Sequence, residues 1–189
     1  NVGAGLPDLP ISVYHRSDNS GTTFIWTDYL KQCSAEWKAK VGAGGTVKWL
    51  VGEGVSKSDG IANAVSRKTG AIGYVEHSFA LVRNLQFASI MNSSAKFVEP
   101  SLESVTAAAD NSLRTIPDDL RYMLTDAPGE QSYPIAGSTW AVLYAEQSGP
   151  VGTKLVKFLR WAVHDGQSHL KDLRYAPLPE NLVQLVDAK

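Results

Sequence analysis

Apolar and polar positions alternate at short range along most of this chain, and the spacing switches between two and roughly 3.6 residues several times. Leu9 to His15 has period two, which predicts a strand with Ile11, Val13 and His15 on one face and Ser12 and Tyr14 on the other. Thr22 to Gln32 then carries Phe24, Ile25, Asp28, Tyr29 and Leu30 at three- and four-residue spacing and predicts a helix. Thr46 to Val51 is β-branched and apolar and predicts a second strand, followed by a glycine-rich loop over 52–60. Ser58 is placed as the N-cap of a helix over 59–68, with Gly70 beyond its end. Ala71 to Val75 predicts a short strand and Glu76 to Asn84 another helix.

Ser101 and Glu103 open a helix to Asn111, and Pro117 and Asp118 open a short one. Residues 126–137 are rich in Pro, Gly and polar side chains and form the best candidate boundary. Beyond it Ser138 to Ala145 predicts a strand. Val151 to His164 predicts an amphipathic helix with Leu155, Phe158, Leu159 and Ala162 on one face, and Leu182, Leu185 and Val186 indicate a last one. The alternation implies an α/β fold with a mixed sheet.

Composition narrows the class. At 189 residues the chain allows one domain or one and a half, and with 43% hydrophobic and 20% charged residues it can bury a core. Eighteen Lys and Arg against nineteen Asp and Glu leave a net charge of −1, so neither nucleic acid nor an anionic membrane is an expected partner. The single Cys33 excludes an intrachain disulfide framework and a multi-cysteine zinc site, and it leaves the compartment open. No apolar run approaches the ~20 residues of a membrane span. The first residues, Asn1 to Pro7, have neither the basic nor the apolar region of a signal peptide, which suits a cytosolic protein and equally a mature or cut form.

One stretch carries chemistry: Val13-Tyr14-His15-Arg16-Ser17-Asp18-Asn19-Ser20-Gly21-Thr22-Thr23-Phe24. It sets a strand end, a tight polar turn and a helix start within a dozen residues. The first N–H groups of a helix lack intrahelical acceptors and carry partial positive charge. A small Ser20-Gly21-Thr22 turn lets an anion approach them, and two hydroxyls there can donate as well. Arg16 can add a bidentate pair to an oxyanion, and Asp18 can hold the guanidinium in position. Phosphate, sulfate or a similar anion fits such a site. Read without context, the same residues also serve as plain turn and cap residues beside a solvated arginine.

This segment resembles the second anion-binding motif of the periplasmic phosphate-binding proteins that serve phosphate ABC transporters. The likeness continues in the family's order through Tyr29-Leu30, Glu36-Trp37-Lys38, Val41-Gly42, Val47-Lys48-Trp49 and Asp59-Gly60-Ile61-Ala62. It continues through Gly70-Ala71-Ile72-Gly73-Tyr74-Val75-Glu76, Tyr133-Pro134-Ile135 and Tyr175-Ala176-Pro177-Leu178-Pro179. Nearly the whole chain is covered, and the Arg-x-Asp-x-Ser-Gly-Thr and Gly-Ala-Ile-Gly-Tyr-Val-Glu elements together are highly specific.

The resemblance implies a type II periplasmic binding protein-like fold, with two lobes of mixed β-sheet flanked by helices and an incomplete first lobe. Residues 1–136 would be most of the second lobe and 137–189 the returning C-terminal part of the first, with Ser138 and Thr139 near the hinge. Arg16, Ser20, Gly21 and Thr22 would bind inorganic phosphate, and Asp18 would support the site by pairing with Arg16. The protein would bind phosphate between its lobes and deliver it to an ABC transporter permease for uptake, in the periplasm or another extracytoplasmic space. It would be no enzyme and would need no cofactor and no metal. Family members are considerably longer. Their amino-terminal segment supplies a Thr-Phe element, a serine and a further aspartate that accepts the proton of hydrogen phosphate. None of these can be placed here, and Asp18 is not that aspartate. A complementing N-terminal segment or second chain is therefore an expected partner. The rival readings are a phosphatase-like enzyme on the same lobes and a structural fragment with a vestigial site.

Other motifs lead less far. His15, Asp18 and Ser20 invite a hydrolase triad, but three neighbours on one turn rarely bridge as a triad must, and no Gly-x-Ser-x-Gly elbow occurs. Gly52 to Ser58 lacks the spacing of a Walker loop. His164 and His169 lie five residues apart near a helix end, a spacing that does not put both on one face for a metal. The five tryptophans fall on apolar stripes and are expected mostly in the core, with a sugar-stacking platform the minority reading, and Tyr74 and Glu76 are expected as packing or hinge-side residues.

Overall fold

A computed structural model describes residue 5, residues 8–113 and residues 116–188. The chain divides into two compact units, one ending at Gln86 and one beginning at Phe87. The expected lobe boundary near residue 136 is a different division.

The first unit is built on β1 (Ser12–Arg16). It runs through a four-residue turn into α1 (Gly21–Cys33) and then α2 (Ala35–Lys40). β2 (Glu53–Val55), α3 (Lys57–Arg67), β3 (Ala71–Ile72) and α4 (His77–Val82) follow. β1 is the middle strand of three, with β2 and β3 both parallel to it. Parallel neighbours need crossovers, and the helices between them supply these. The register pairs Arg16 with Val55 on one side and Val13 with Ile72 on the other. α3 packs against all three strands and buries Ile61 and Ala62. Gly73 lets β3 run close to that helix, since a Cβ there would sit 2.7 Å from Ile61 Cγ2.

This unit departs from the expected pattern in five places. β1 begins at Ser12 rather than Leu9, and Ile11 is 72% exposed. Residues 46–51 form no strand, because β2 and β3 already occupy both edges of β1. The predicted 52–60 loop instead contains β2 and the start of α3. That helix begins at Lys57 with Ser56 as N-cap, two residues early, because the Ser58 hydroxyl accepts a bond from Arg16 instead of capping its own helix. β3 ends at Ile72, short of the expected Val75.

The second unit pairs β4 (Ile90–Met91) with β5 (Phe97–Val98) antiparallel. It continues with α5 (Leu102–Ser112), α6 (Gly149–Val163), a 3₁₀ turn over Asp165–His169 and α7 (Glu180–Asp187). Ser101 caps α5 as expected, in a reciprocal box with Ser104 at 3.0 and 2.9 Å. Ala108, Ala109, Leu124, Ala127 and Ala136 form its core. Ala127 and Ala136 of that core come from the 126–137 stretch, where Ser132 is wholly buried. Buried Asn92 explains the order there, its amide donating to the carbonyls of Gly129, Glu130 and Ser132.

Pro117 and Asp118 make a turn, not a helix, because Leu120 takes a left-handed φ of 58° that ends any helical path. Ser138 to Ala145 forms no strand, since a strand needs a ladder partner and none stands beside it among the described residues. Val142 and Tyr144 are 95% and 88% exposed. On α6, Phe158 lies exposed rather than buried in the expected stripe. None of the five tryptophans is fully buried. His164 pairs with Asp187 at 3.0 Å near the end of α6. No helix among the described residues is long and apolar enough to cross a membrane.

Candidate functional site

β1 and β2 end together at the paired Arg16 and Val55, and Arg16 is the last residue of β1. Its side chain is 11% exposed and is held on three sides. Nε donates to Asp18 Oδ1 at 2.8 Å and Nη2 to Asp18 Oδ2 at 2.6 Å, a bidentate pair across one edge of the guanidinium. Nη1 donates to Ser58 Oγ at 3.0 Å. A guanidinium has five N–H bonds. Three are used here, which leaves one on each terminal nitrogen and a fork able to grip two oxygens of one anion.

Asp18 is itself fixed. Its Oδ1 accepts the Lys57 N–H at 2.9 Å, at the start of α3 where Lys57 has a left-handed φ of 61°. The hydrogen bonds from Arg16 and then from Lys57 hold its carboxyl well below the usual carboxylate range. Asp18 balances the charge of Arg16, and Glu76 also lies near enough to act on the guanidinium.

The helix start stands alongside. Ser20 is the N-cap of α1, with extended backbone and its Oγ accepting the Thr23 N–H at 3.2 Å. Its own N–H goes to Gly45 O at 2.9 Å, and its carbonyl accepts Phe24 N–H at 3.0 Å. The amides of Gly21 and Thr22 therefore lie at the positive end of α1 and find no acceptor among the described residues. Gly21 is exposed, with a right-handed backbone, and a Cβ on it would meet no atom within 4 Å. Nothing in the fold demands a glycine there. Gly45 is different, because a Cβ on it would collide with the Asn19 side chain.

Tyr74 joins the two parts. Its phenol oxygen accepts the backbone N–H of Arg16 at 3.0 Å and shares a hydrogen bond with Thr23 Oγ1 at 2.7 Å. Its ring lies between Trp26 and Trp49, with centroids 5.8 Å away on each side, and Trp49 stacks on His15 at 4.6 Å. Burial of the phenol raises its pKa.

Every residue proposed from the sequence thus lies on this one strand–turn–helix corner. Arg16 and Asp18 pair directly, and Ser20, Gly21 and Thr22 form the helix start beside them. The His15, Asp18 and Ser20 trio forms no relay: Ser20 caps a helix, Asp18 holds Arg16 and His15 lies against an indole. Sequence reasoning missed Tyr74, Ser58 and the Lys57 amide. The signal for them is the parallel register, which sets the residues after β2 and β3 beside the end of β1.

A family profile for the PBP superfamily domain matches residues 2–165. Among curated proteins, the phosphate-binding protein PstS of Pasteurella multocida (strain Pm70) is 42% identical over 190 residues, covering all of this chain and 55% of the relative. PstS of Xylella fastidiosa (strain 9a5c) is 38% identical, covering all of this chain and 52% of its own. The phosphate-binding protein PstS of Methanocaldococcus jannaschii is 38% identical, covering 95% and 51%. The chain spans about half the length of the curated relatives it matches.

Proposed function

The chain belongs to the PBP superfamily, and on that footing we propose that the protein of which it forms part binds inorganic phosphate between two α/β lobes and delivers it to a membrane ABC transporter. Arg16, Ser20, Gly21 and Thr22 hold the anion, and Asp18 keeps Arg16 in place. One observation carries the reading: two unsatisfied helix-start amides on the same corner as an arginine that keeps one unused N–H on each terminal nitrogen. The relatives named as phosphate-binding proteins support phosphate as the anion. The role is capture and release, with no cofactor, and its place is the periplasm or an equivalent space outside the cytoplasmic membrane. The corner offers an enzyme reading no nucleophile–base pair.

In this reading residues 1–136 belong to the second lobe and 137–189 to the first, and the remaining cage comes from a complementing segment. Exposure of Val142, Tyr144 and Phe158 supports a partner that covers them, because side chains of that size are stabilised by burial. The test is calorimetric titration with phosphate and with sulfate. It is run on the 189-residue chain alone and with the portion of the Pasteurella multocida relative that the chain does not match. The chain alone is expected to bind weakly with little discrimination, and the complemented pair tightly and selectively. Tight, selective binding by the isolated chain removes the divided cage. No phosphate binding in either arm removes the function.

A further inference from the structure

Tyr74 is neither a phosphate contact in the reading above nor mere packing. Its ring fills a stack between Trp26 and Trp49, which a phenylalanine would fill equally well. The hydroxyl is what the stack does not need. That one oxygen reaches both halves of the anion corner, the Arg16 amide at the end of β1 and the Thr23 hydroxyl in the first turn of α1. Between those points the chain runs through Ser17–Ser20, a turn outside both elements. A turn of that kind leaves the angle between strand and helix to its contacts. The Ser20–Gly45 bond fixes the helix end from one side, and Tyr74 fixes it from the other.

We propose that Tyr74 is a positioning residue of the anion site, its phenol oxygen setting the distance between the guanidinium of Arg16 and the helix-start amides of Gly21 and Thr22. The effect reaches the anion only through those groups. A guanidinium fork and a pair of amides must meet one tetrahedral ion at once, and a small misplacement weakens every bond to it. The proposal rests on the phosphate reading.

The test uses the ¹⁵N-labelled 189-residue chain titrated with inorganic phosphate and followed at the amides of Gly21 and Thr22. In the Tyr74→Phe chain the dissociation constant is expected to rise about tenfold, the scale of one lost hydrogen bond, and the phosphate-induced shifts at saturation to shrink. Thr23→Val, which removes the other partner of the phenol, should act similarly, and the double variant should bind no worse than the weaker single one. Trp26→Phe thins the stack and spares both hydrogen bonds. It should lower the melting temperature and leave the dissociation constant within twofold. Binding by Tyr74→Phe within twofold of the unmodified chain overturns the proposal, as do losses that multiply in the double variant. If Tyr74→Phe does not fold, the Thr23→Val result decides alone. Absence of any phosphate response in the unmodified chain is a different outcome: the positioning role falls with it, whereas the phosphate reading falls only if the complemented pair is silent as well.

Discussion

Gly21→Ala separates an anion site from a helix cap that binds nothing. Gly21 opens α1 with a backbone that any residue adopts, and a Cβ there meets open space. Folding should therefore gain, by about 0.4–1 kcal/mol, because alanine narrows the unfolded ensemble at a compatible site. Binding should move the other way. Cα–Cβ bonds in a helix tilt toward its N-terminus, so the new methyl projects past the end of α1, into the approach to the Gly21 and Thr22 amides. Forcing the anion off one of these charge-assisted bonds costs about 1.5–3 kcal/mol, roughly a 10- to 150-fold weaker dissociation constant. Urea denaturation measures the first quantity and phosphate titration of the same preparation the second. Opposite signs are the signature of a site. Unchanged phosphate affinity refutes the placement of the anion at this helix start, and a stability loss beyond about 1 kcal/mol refutes the open space around Gly21.

Other consequences follow from the same geometry. Arg16→Ala should weaken phosphate binding by about 1.5–3 kcal/mol in calorimetry, and Arg16→Lys should not restore it, because an ammonium cannot present the fork. Asp18 has a folded pKa below its ordinary 3.8, so its contribution to stability is fully present above that pH and is lost as the pH falls toward the folded value. Carboxyl NMR should therefore show Asp18 still ionised at pH 3, and Arg16→Ala should return it toward 3.8; titration at the ordinary value in the unmodified chain would show that the pair does not form. In the second unit, burial pushes the Tyr133 phenol up to about 12. A raised phenol stabilises the fold below the ordinary value of 10 and loses that contribution as pH rises through 12, so ultraviolet titration should show a late-titrating phenol that disappears in Tyr133→Phe, while stability declines over that window.

The elements legible in the sequence were those whose causes are local. Ser20 before Gly21-Thr22-Thr23, and Ser101 with Ser104 in reach, announce helix starts, because a cap is satisfied within four residues of itself. Arg16 and Asp18 are two residues apart, and their pairing needs no knowledge of the fold. What sequence reasoning missed depends on which strand lies beside which. Thr46 to Val51 and Ser138 to Ala145 have strand-like composition, yet a strand exists only where an edge is free to receive it. β1 has given both edges to shorter segments of weaker pattern.

The same dependence hid the rest of the corner. Extending the β1–β3 register past Ile72 sets Tyr74 beside His15 and within reach of the Arg16 amide, and extending β1–β2 past Val55 brings Lys57 and Ser58 onto Asp18 and Arg16. Tyr74 lies in the Gly-Ala-Ile-Gly-Tyr-Val-Glu element, yet nothing in that run places its hydroxyl at the corner, and the Lys57 amide and Ser58 hydroxyl are common groups that acquire meaning from position alone. The residues proposed to face the anion lie in one contiguous segment, while residues bonded to Arg16 lie some forty to sixty positions away in sequence, as the Arg16–Ser58 and Arg16–Tyr74 bonds show. A substitution in that second group would leave the anion motif intact to the eye and still loosen the site, which is why Tyr74, and not a further residue of the Arg-x-Asp-x-Ser-Gly-Thr run, is the sharper place to probe it.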